Sequence, residues 1–378
     1  MQICRDNYFR KELSNHIVAE YLAGINNAWF KFQDPAENRL MDCYGTDLGR
    51  NQFSGTELWH WPHSEDISHI DFSKPEQSPK PSILKSRQNI LEAQFQKIAG
   101  IDVVRMWLFE KLEGLVFDSN RKVTGIDEQL LSNVDKILQL AGNHRFKVYF
   151  CLFDSWAVEY KVPGGLPQHR IPQYDAFNKA VQQTTKSIVE SPSDFISNVL
   201  NPLVQRIKNN PNVYAIDVIN EPEGMMRNTP LVSEQAMKNY ISVCCNALKP
   251  IKSSVGCMEK ETAMRFSSLP VDFCDFHYYS DLPNRLDNYR SIDYANKPCI
   301  IGEFGKRDSA GNVSIPADFV RNFMQDALNK GYSASLAWGN IYDFPRDSLQ
   351  VIKDMSARVV PKPSFWERFL QALGMWRR

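Results

Sequence analysis

From residue 100 onward, apolar runs of strand length alternate with segments of helical period. Runs at 21–26, 102–109, 147–153, 215–220, 254–258, 273–279, 299–303 and 333–338 predict eight strands. Between them, side chains repeat at helical spacing. Ile90, Leu91, Phe95 and Ile98 share one face, and Val134, Ile137, Leu138 and Ala141 another. A third stripe runs through Phe195, Ile196, Val199, Leu200, Leu203, Val204 and Ile207, with Pro202 expected to kink or split its helix. Met237, Tyr240, Ile241, Cys244 and Leu248 form a fourth; Phe319, Val320, Phe323, Met324 and Ala327 form a fifth.

Eight strands alternating with helices predict the α/β class and a (β/α)8 TIM barrel. The expectation is one catalytic domain over residues 1–378, with its core at about 20–345. Such barrels typically need about 250 residues. The surplus falls in two long insertions, 31–85 after strand one and 154–192 after strand three, both over the face where barrels bind ligands. Past Pro361 and Pro363, Phe365, Trp366, Phe369, Leu370 and Leu373 predict an amphipathic helix over 364–375. Packing on the barrel is the first reading, a membrane-surface or partner helix the second.

Composition narrows the chemistry. The 378 residues carry 44 basic and 44 acidic side chains, so no net field favours a polyanion and nucleic acid is not expected as a partner. No transmembrane segment is expected, because no apolar run is long enough to span a bilayer. Residues 1–6 lack a leader's apolar core, which predicts a cytoplasmic protein, or a secreted one if a leader was removed. The eight cysteines are scattered without a C-x-x-C pair, which argues for buried free thiols and against zinc. His60, His63 and His69 with Asp66 fit no common metal spacing, so Trp59 and Trp61 beside them read as a packing or substrate-facing loop. No phosphate loop or dinucleotide fingerprint is present, and neither metal nor cofactor is expected. Oligomeric state is not legible.

Two glutamates stand out against this background. Glu221 and Glu303 each close a short apolar run. Glutamate is a poor strand residue, and burying it unpaired is costly. At the C-terminal tip of a parallel strand it instead faces the ligand-binding end of the sheet. Strands four and seven lie on opposite sides of an eight-stranded ring, so the two carboxyls can face each other, as glycosidic bond hydrolysis requires. Other polar and aromatic residues also sit at predicted strand ends. They are Arg105 in strand two, Asn220 beside Glu221, His277 and Tyr279 in strand six, and Trp338 in strand eight.

These marks, in this order, resemble the clan A glycoside hydrolases and are most similar to family 5, which contains cellulases and mannanases. The resemblance covers about residues 20–345 and rests on Asn220-Glu221-Pro222, Gly302-Glu303-Phe304-Gly305 and the other strand ends. It implies a retaining hydrolase of β-linked glucan- or mannan-type oligo- or polysaccharides, with Glu303 as nucleophile and Glu221 as acid/base. By the same resemblance Arg105 holds Glu303 and Asn220 bonds the sugar 2-hydroxyl. Tyr279 would bond the nucleophile or the sugar, and His277 a hydroxyl or the acid/base. Trp338 would be the sugar platform, and Trp156 points to the mannanase branch. The charge of Glu303 is expected to raise the pKa of Glu221. Each residue also has a plain structural reading: a rim ion pair for the glutamates, a buried salt bridge for Arg105, a loop cap for Asn220, and core packing for the rings. A transglycosylase using the same glutamates, or an inactive glycan-binding barrel, are the alternatives. The presence of both glutamates favours an enzyme.

Overall fold

A computed structural model describes residues 19–28, 31–34, 39–42, 92, 94–110, 112, 114–158, 171–280, 286–339, 341, 344–356 and 359–360. Among them are the eight strands of a barrel. These are β1 (Leu22–Asn26), β2 (Val103–Trp107), β3 (Lys147–Cys151), β4 (Val213–Asp217), β5 (Ser253–Ser254 and Gly256–Cys257), β6 (Cys274–Tyr279), β7 (Cys299–Arg307) and β8 (Ala334–Ala337). Each pairs in parallel with the next, and β8 pairs with β1. The first half of β5 pairs with β4 and its second half with β6, so the ring closes across Val255.

Two strands differ from the expected bounds for visible reasons. β4 leaves its ladder at Asp217, and the chain runs on to a lone parallel bridge between Asn220 and Asp154. β7 extends to Arg307 because Lys306 and Arg307 pair antiparallel with Ser314 and Val313.

The helices form the outer layer. Among the described residues they include α1 (Glu128–His144), α2 (Ile171–Glu190), α3 (Asn201–Ile207), α4 (Glu234–Ala247), α5 (Lys260–Phe266), α6 (Ala317–Asn329) and α7 (Arg346–Ser356). Pro202 sits in the first turn of α3. The preceding turn, Ile196–Leu200, is a π-helix, so the backbone changes register where proline supplies no N–H. The apolar stripe survives: Phe195, Val199, Leu200, Leu203, Val204 and Ile207 are all buried. The segment after β3 holds a 3-10 turn, Ser155–Val158, and α2. The segment after β1 begins with a hairpin, Lys31–Asp34 against Arg39–Asp42. Trp59, His60, Trp61, His63, Asp66 and His69 lie outside the described residues, as does the 364–375 helix. The helical layer continues past residue 345, through α7 to Ser356.

Strand alternation sorts side chains between two cores. Val104, Met106, Ile216, Val218, Cys274 and Phe276 pack outward in the large core cluster. Val103, Ala215, Phe273, Ile300, Ala334 and Leu336 fill a separate cluster at the inner floor. Continuing each strand from that floor puts Arg105, Asp217, Asp275 and His277 inside the barrel.

β7 breaks the alternation. Ile301 pairs with Phe276 and Glu303 with His277, so Gly302 is an extra residue in a β-bulge. Strict alternation from Ile300 would send Glu303 toward the helices and Phe304 into the barrel. The bulge reverses both. Phe304 stacks on Phe323 of α6, with ring centroids 4.2 Å apart, and Glu303 turns inward. Only glycine fits at the bulge, since a Cβ on Gly302 would lie 2.2 Å from Asp275 Oδ1. Gly302→Ala should therefore destabilise the fold by about 1–3 kcal/mol through overpacking. Urea unfolding of the two proteins checks this, and equal stability would contradict the bulge's role.

Candidate active site

Arg105 organises the site from below. It is completely buried on β2. Its Nη2 donates to Asp217 Oδ2 (2.5 Å) and Asn220 Oδ1 (2.7 Å). Its Nη1 donates to Glu303 Oε1 (2.7 Å) and Asn26 Oδ1 (3.1 Å). Trp107, on the same strand, lies under the guanidinium at 4.4 Å from carbon to ring centroid. Burial disfavours the charge, but the Asp217 carboxylate leads the groups that outweigh it, and the guanidinium stays cationic. Asp217 is fixed in turn, because its Oδ1 accepts the Gly256 (3.0 Å) and Ile219 (3.1 Å) backbone N–H groups. Asn26 donates to the Gly302 carbonyl at 2.9 Å, which ties β1 to the bulge.

Above this layer the two glutamates converge on His277. Glu303 Oε2 accepts the Tyr279 hydroxyl at 2.6 Å and lies 3.4 Å from His277 Nδ1. Glu221 Oε1 lies 2.5 Å from the same Nδ1, and its Oε2 accepts the Trp156 indole N–H. Glu221, His277 and Glu303 each offer an atom such that all three lie within 4.8 Å of one another.

The electrostatics correct one expectation. Glu303 was expected to raise Glu221. Burial does push Glu221 up, but the hydrogen bond and charge of His277, then Trp156 and Arg105, outweigh it and hold the carboxyl below its usual value. Burial raises Glu303, against the pull of His277 and Arg105. His277 is pushed up to about 9: burial opposes its charge, but Glu303 and Glu221 overcome this. The reason is geometric. A cation lies between the two carboxylates and offsets their repulsion, although the charge of Glu221 still adds to the rise at Glu303. The three groups are the one set among the described residues close enough to share a metal ion. A protonated Nδ1, however, has no lone pair for a metal.

Glu221 itself has an unusual backbone, with φ of +44°. Such a conformation costs a non-glycine residue on the order of 1–3 kcal/mol and persists only where its surroundings impose it. Here its N–H donates to the Gly256 carbonyl at 2.6 Å. Its carbonyl accepts the Gly224 N–H (2.9 Å) and the Ser155 hydroxyl.

Seven of the residues singled out from the sequence join one hydrogen-bonded cluster: Arg105, Trp156, Asn220, Glu221, His277, Tyr279 and Glu303. Trp338 reaches it through an edge-to-face contact with Trp107, with centroids 6.0 Å apart. Asn26, Asp154, Asp217 and Asp275 were not foreseen. Asp217 and Asp275 carried a signal, a charge inside an apolar strand run. Asp275 accepts the Tyr149 hydroxyl at 2.9 Å, and burial pushes it up to about 7. Burial also pushes Asp154 up to about 6, against its bonds from Asn220 and Trp156.

A raised histidine pKa makes stability depend on pH. The His277 contribution is complete below its ordinary value of 6.5 and is lost as pH rises through about 9. Urea unfolding of the wild type should therefore weaken across that window more than unfolding of His277→Gln does. Parallel pH profiles for the two proteins would contradict the assignment.

No protein-family model matches the chain. A mannan endo-1,4-beta-mannosidase of Mytilus edulis is 23% identical over 393 aligned residues, covering 89% of this chain and 88% of that protein. Another, from Cryptopygus antarcticus, is 22% identical over 375 residues, covering 84% and 80%. Among solved structures, the beta-mannanase of the blue mussel Mytilus edulis has a TM-score of 0.54 at 18% identity, covering 90% of this chain and 97% of that one. The beta-1,4-mannanase of the sea hare Aplysia kurodai has a TM-score of 0.53 at 19% identity, covering 75% and 91%. The fold is thus that of TIM-barrel mannanases. In sequence along most of its length, and in fold, the chain resembles the family 5 glycoside hydrolases of clan A.

Proposed function

We propose that this chain is a retaining β-glycoside hydrolase that cleaves mannan-type backbones, with Glu303 as nucleophile and Glu221 as acid/base. The observation that carries the proposal is that one carboxylate oxygen from each glutamate approaches the same His277 nitrogen, at 2.5 and 3.4 Å, on one rim of the barrel. Two carboxyls that share one such neighbour favour the spacing of about 5–5.5 Å found in retaining enzymes over the about 6.5–9.5 Å that leaves room for a water in inverting ones. Both sequence relatives are mannan endo-1,4-beta-mannosidases, which supports mannan over glucan.

The chemistry follows in two steps. Glu303, aimed by Arg105 and Tyr279, attacks the anomeric carbon as the glycosidic oxygen leaves. The leaving oxygen takes a proton from Glu221. In the free protein that proton lies on the His277–Glu221 pair, whose 2.5 Å separation lets it move from Nδ1 to Oε1. Glycosylated Glu303 carries no charge. Ionised Glu221 then removes a proton from water, which attacks the same carbon and releases Glu303. The Asn220 amide is suited to the sugar 2-hydroxyl, and half-buried Trp338 to the apolar face of a pyranose.

Galactomannan should release reducing ends faster than β-glucan or starch does, and proton NMR should find the first-formed sugar in the β configuration. Glu303→Ala should abolish release. Glu221→Gln should lower kcat/KM, which reports the first step, on the order of 10²–10⁴-fold with poor leaving groups and little with good ones. An α first product would remove the two-step mechanism, and faster release from starch would remove the substrate assignment.

A further inference from the structure

We infer that Asp154 is a positioning residue for the proposed reaction, acting through Asn220 and Trp156 to set the geometry of Glu221. The inference rests on the hydrolytic reading above and extends it to a carboxylate that takes no part in that reading.

Asp154 follows β3 and is joined to Asn220 by the lone parallel bridge. The backbone fixes this contact twice, through Asn220 N–H to the Phe153 carbonyl (2.8 Å) and Ser155 N–H to the Asn220 carbonyl (3.1 Å). One carboxylate oxygen, Oδ1, then accepts two donors at 3.0 Å each: Asn220 Nδ2 and the Trp156 backbone N–H.

The first bond decides which way the Asn220 amide faces. Its two orientations are nearly identical in shape but opposite in hydrogen bonding. In the observed one, Oδ1 accepts from Arg105 and Nδ2 donates to Asp154. The flipped amide would set donor against guanidinium and oxygen against carboxylate. Arg105 and Asp154 therefore fix the amide jointly, and Nδ2 keeps a second hydrogen for a sugar hydroxyl.

The second bond spans two residues and closes the turn that starts Ser155–Val158. That turn delivers two groups to Glu221: the Trp156 indole N–H to its carboxylate and the Ser155 hydroxyl to its carbonyl. The fit is close, since a Cβ on Gly224 would lie 2.5 Å from Ser155 Oγ. Removing Asp154 thus loosens Asn220 and the acid/base support together. A misplacement of about 1 Å costs on the order of 10²-fold in rate.

The test uses the full chain with aryl β-mannosides and β-mannobiosides of graded leaving-group acidity. Rates are divided by the folded fraction from circular dichroism. Asp154→Ala should lower kcat/KM on the order of 10²-fold for poor leaving groups and less for good ones, and should lower kcat for good leaving groups as well, where the base step limits turnover. Asp154→Asn keeps an acceptor oxygen in the same place and should retain most of the activity. In an Asn220→Ala background, adding Asp154→Ala should cost clearly less than it does alone. A purely structural Asp154 predicts something else: lower stability, with unchanged kcat per folded molecule and no coupling to Asn220. That result would overturn the inference, as would full loss of activity in a folded Asp154→Asn protein. A wild type inactive on every β-mannoside and on mannan would overturn the hydrolytic reading and this inference with it. An active wild type with an indifferent Asp154→Ala would overturn the inference alone.

Discussion

A guanidinium sealed inside the barrel is the constraint on which the rest of the structure depends. Arg105 is completely buried, and a buried charge is tolerable only when it is paired and hydrogen-bonded. Asp217 from β4, Glu303 from β7, Asn26 from β1 and Asn220 after β4 converge on it. Breaking such a pair typically costs about 3–5 kcal/mol. The backbone has been cleared for the cluster at two places. A Cβ on Gly256 would lie 2.7 Å from Asp217 Oδ2 and 2.8 Å from Arg105 Nη2, and one on Gly302 would strike Asp275. The β7 bulge belongs to the same arrangement, because it brings Glu303 into reach of the cation.

His277 does for the upper layer what Arg105 does for the lower. Set between two carboxylates, it takes up a proton that an ordinary histidine would release near neutrality. One proton is thereby stored beside Glu221, at the hydrogen bond where the proposed mechanism needs it. The two cations also serve different partners. Arg105 touches Glu303 and not Glu221, whereas His277 lies closer to Glu221 than to Glu303. Two chemically identical residues thus have separate environments, Glu303 bonded to Arg105 and Tyr279 and Glu221 to His277 and Trp156.

Much of this was legible in the sequence because it is local. All eight strands were marked by apolar runs, and the strand-end residues could be read from their positions in those runs. The Pro202 break was legible for the same reason. What escaped depends on contacts between distant segments. The bulge violates the period-two rule from which inward and outward faces are read, and Gly302 was its one trace. The direction of the Glu221 shift needed the place of His277 Nδ1, which no spacing discloses. Asn26 and Asp154 are short polar residues at strand ends, indistinguishable in a sequence from caps.

The central claim is that Glu303 forms a covalent bond to the sugar. The most direct test is to incubate the protein with a 2-deoxy-2-fluoro β-mannobioside bearing a good leaving group, then digest it and map the label by mass spectrometry. The fluorine slows release of the intermediate more than its formation when the leaving group is good, so the glycosyl-enzyme should accumulate. One equivalent of label on the peptide containing Glu303, with time-dependent loss of activity, is the predicted result. Turnover of the same compound with no adduct, or an adduct on any other residue, would contradict the account.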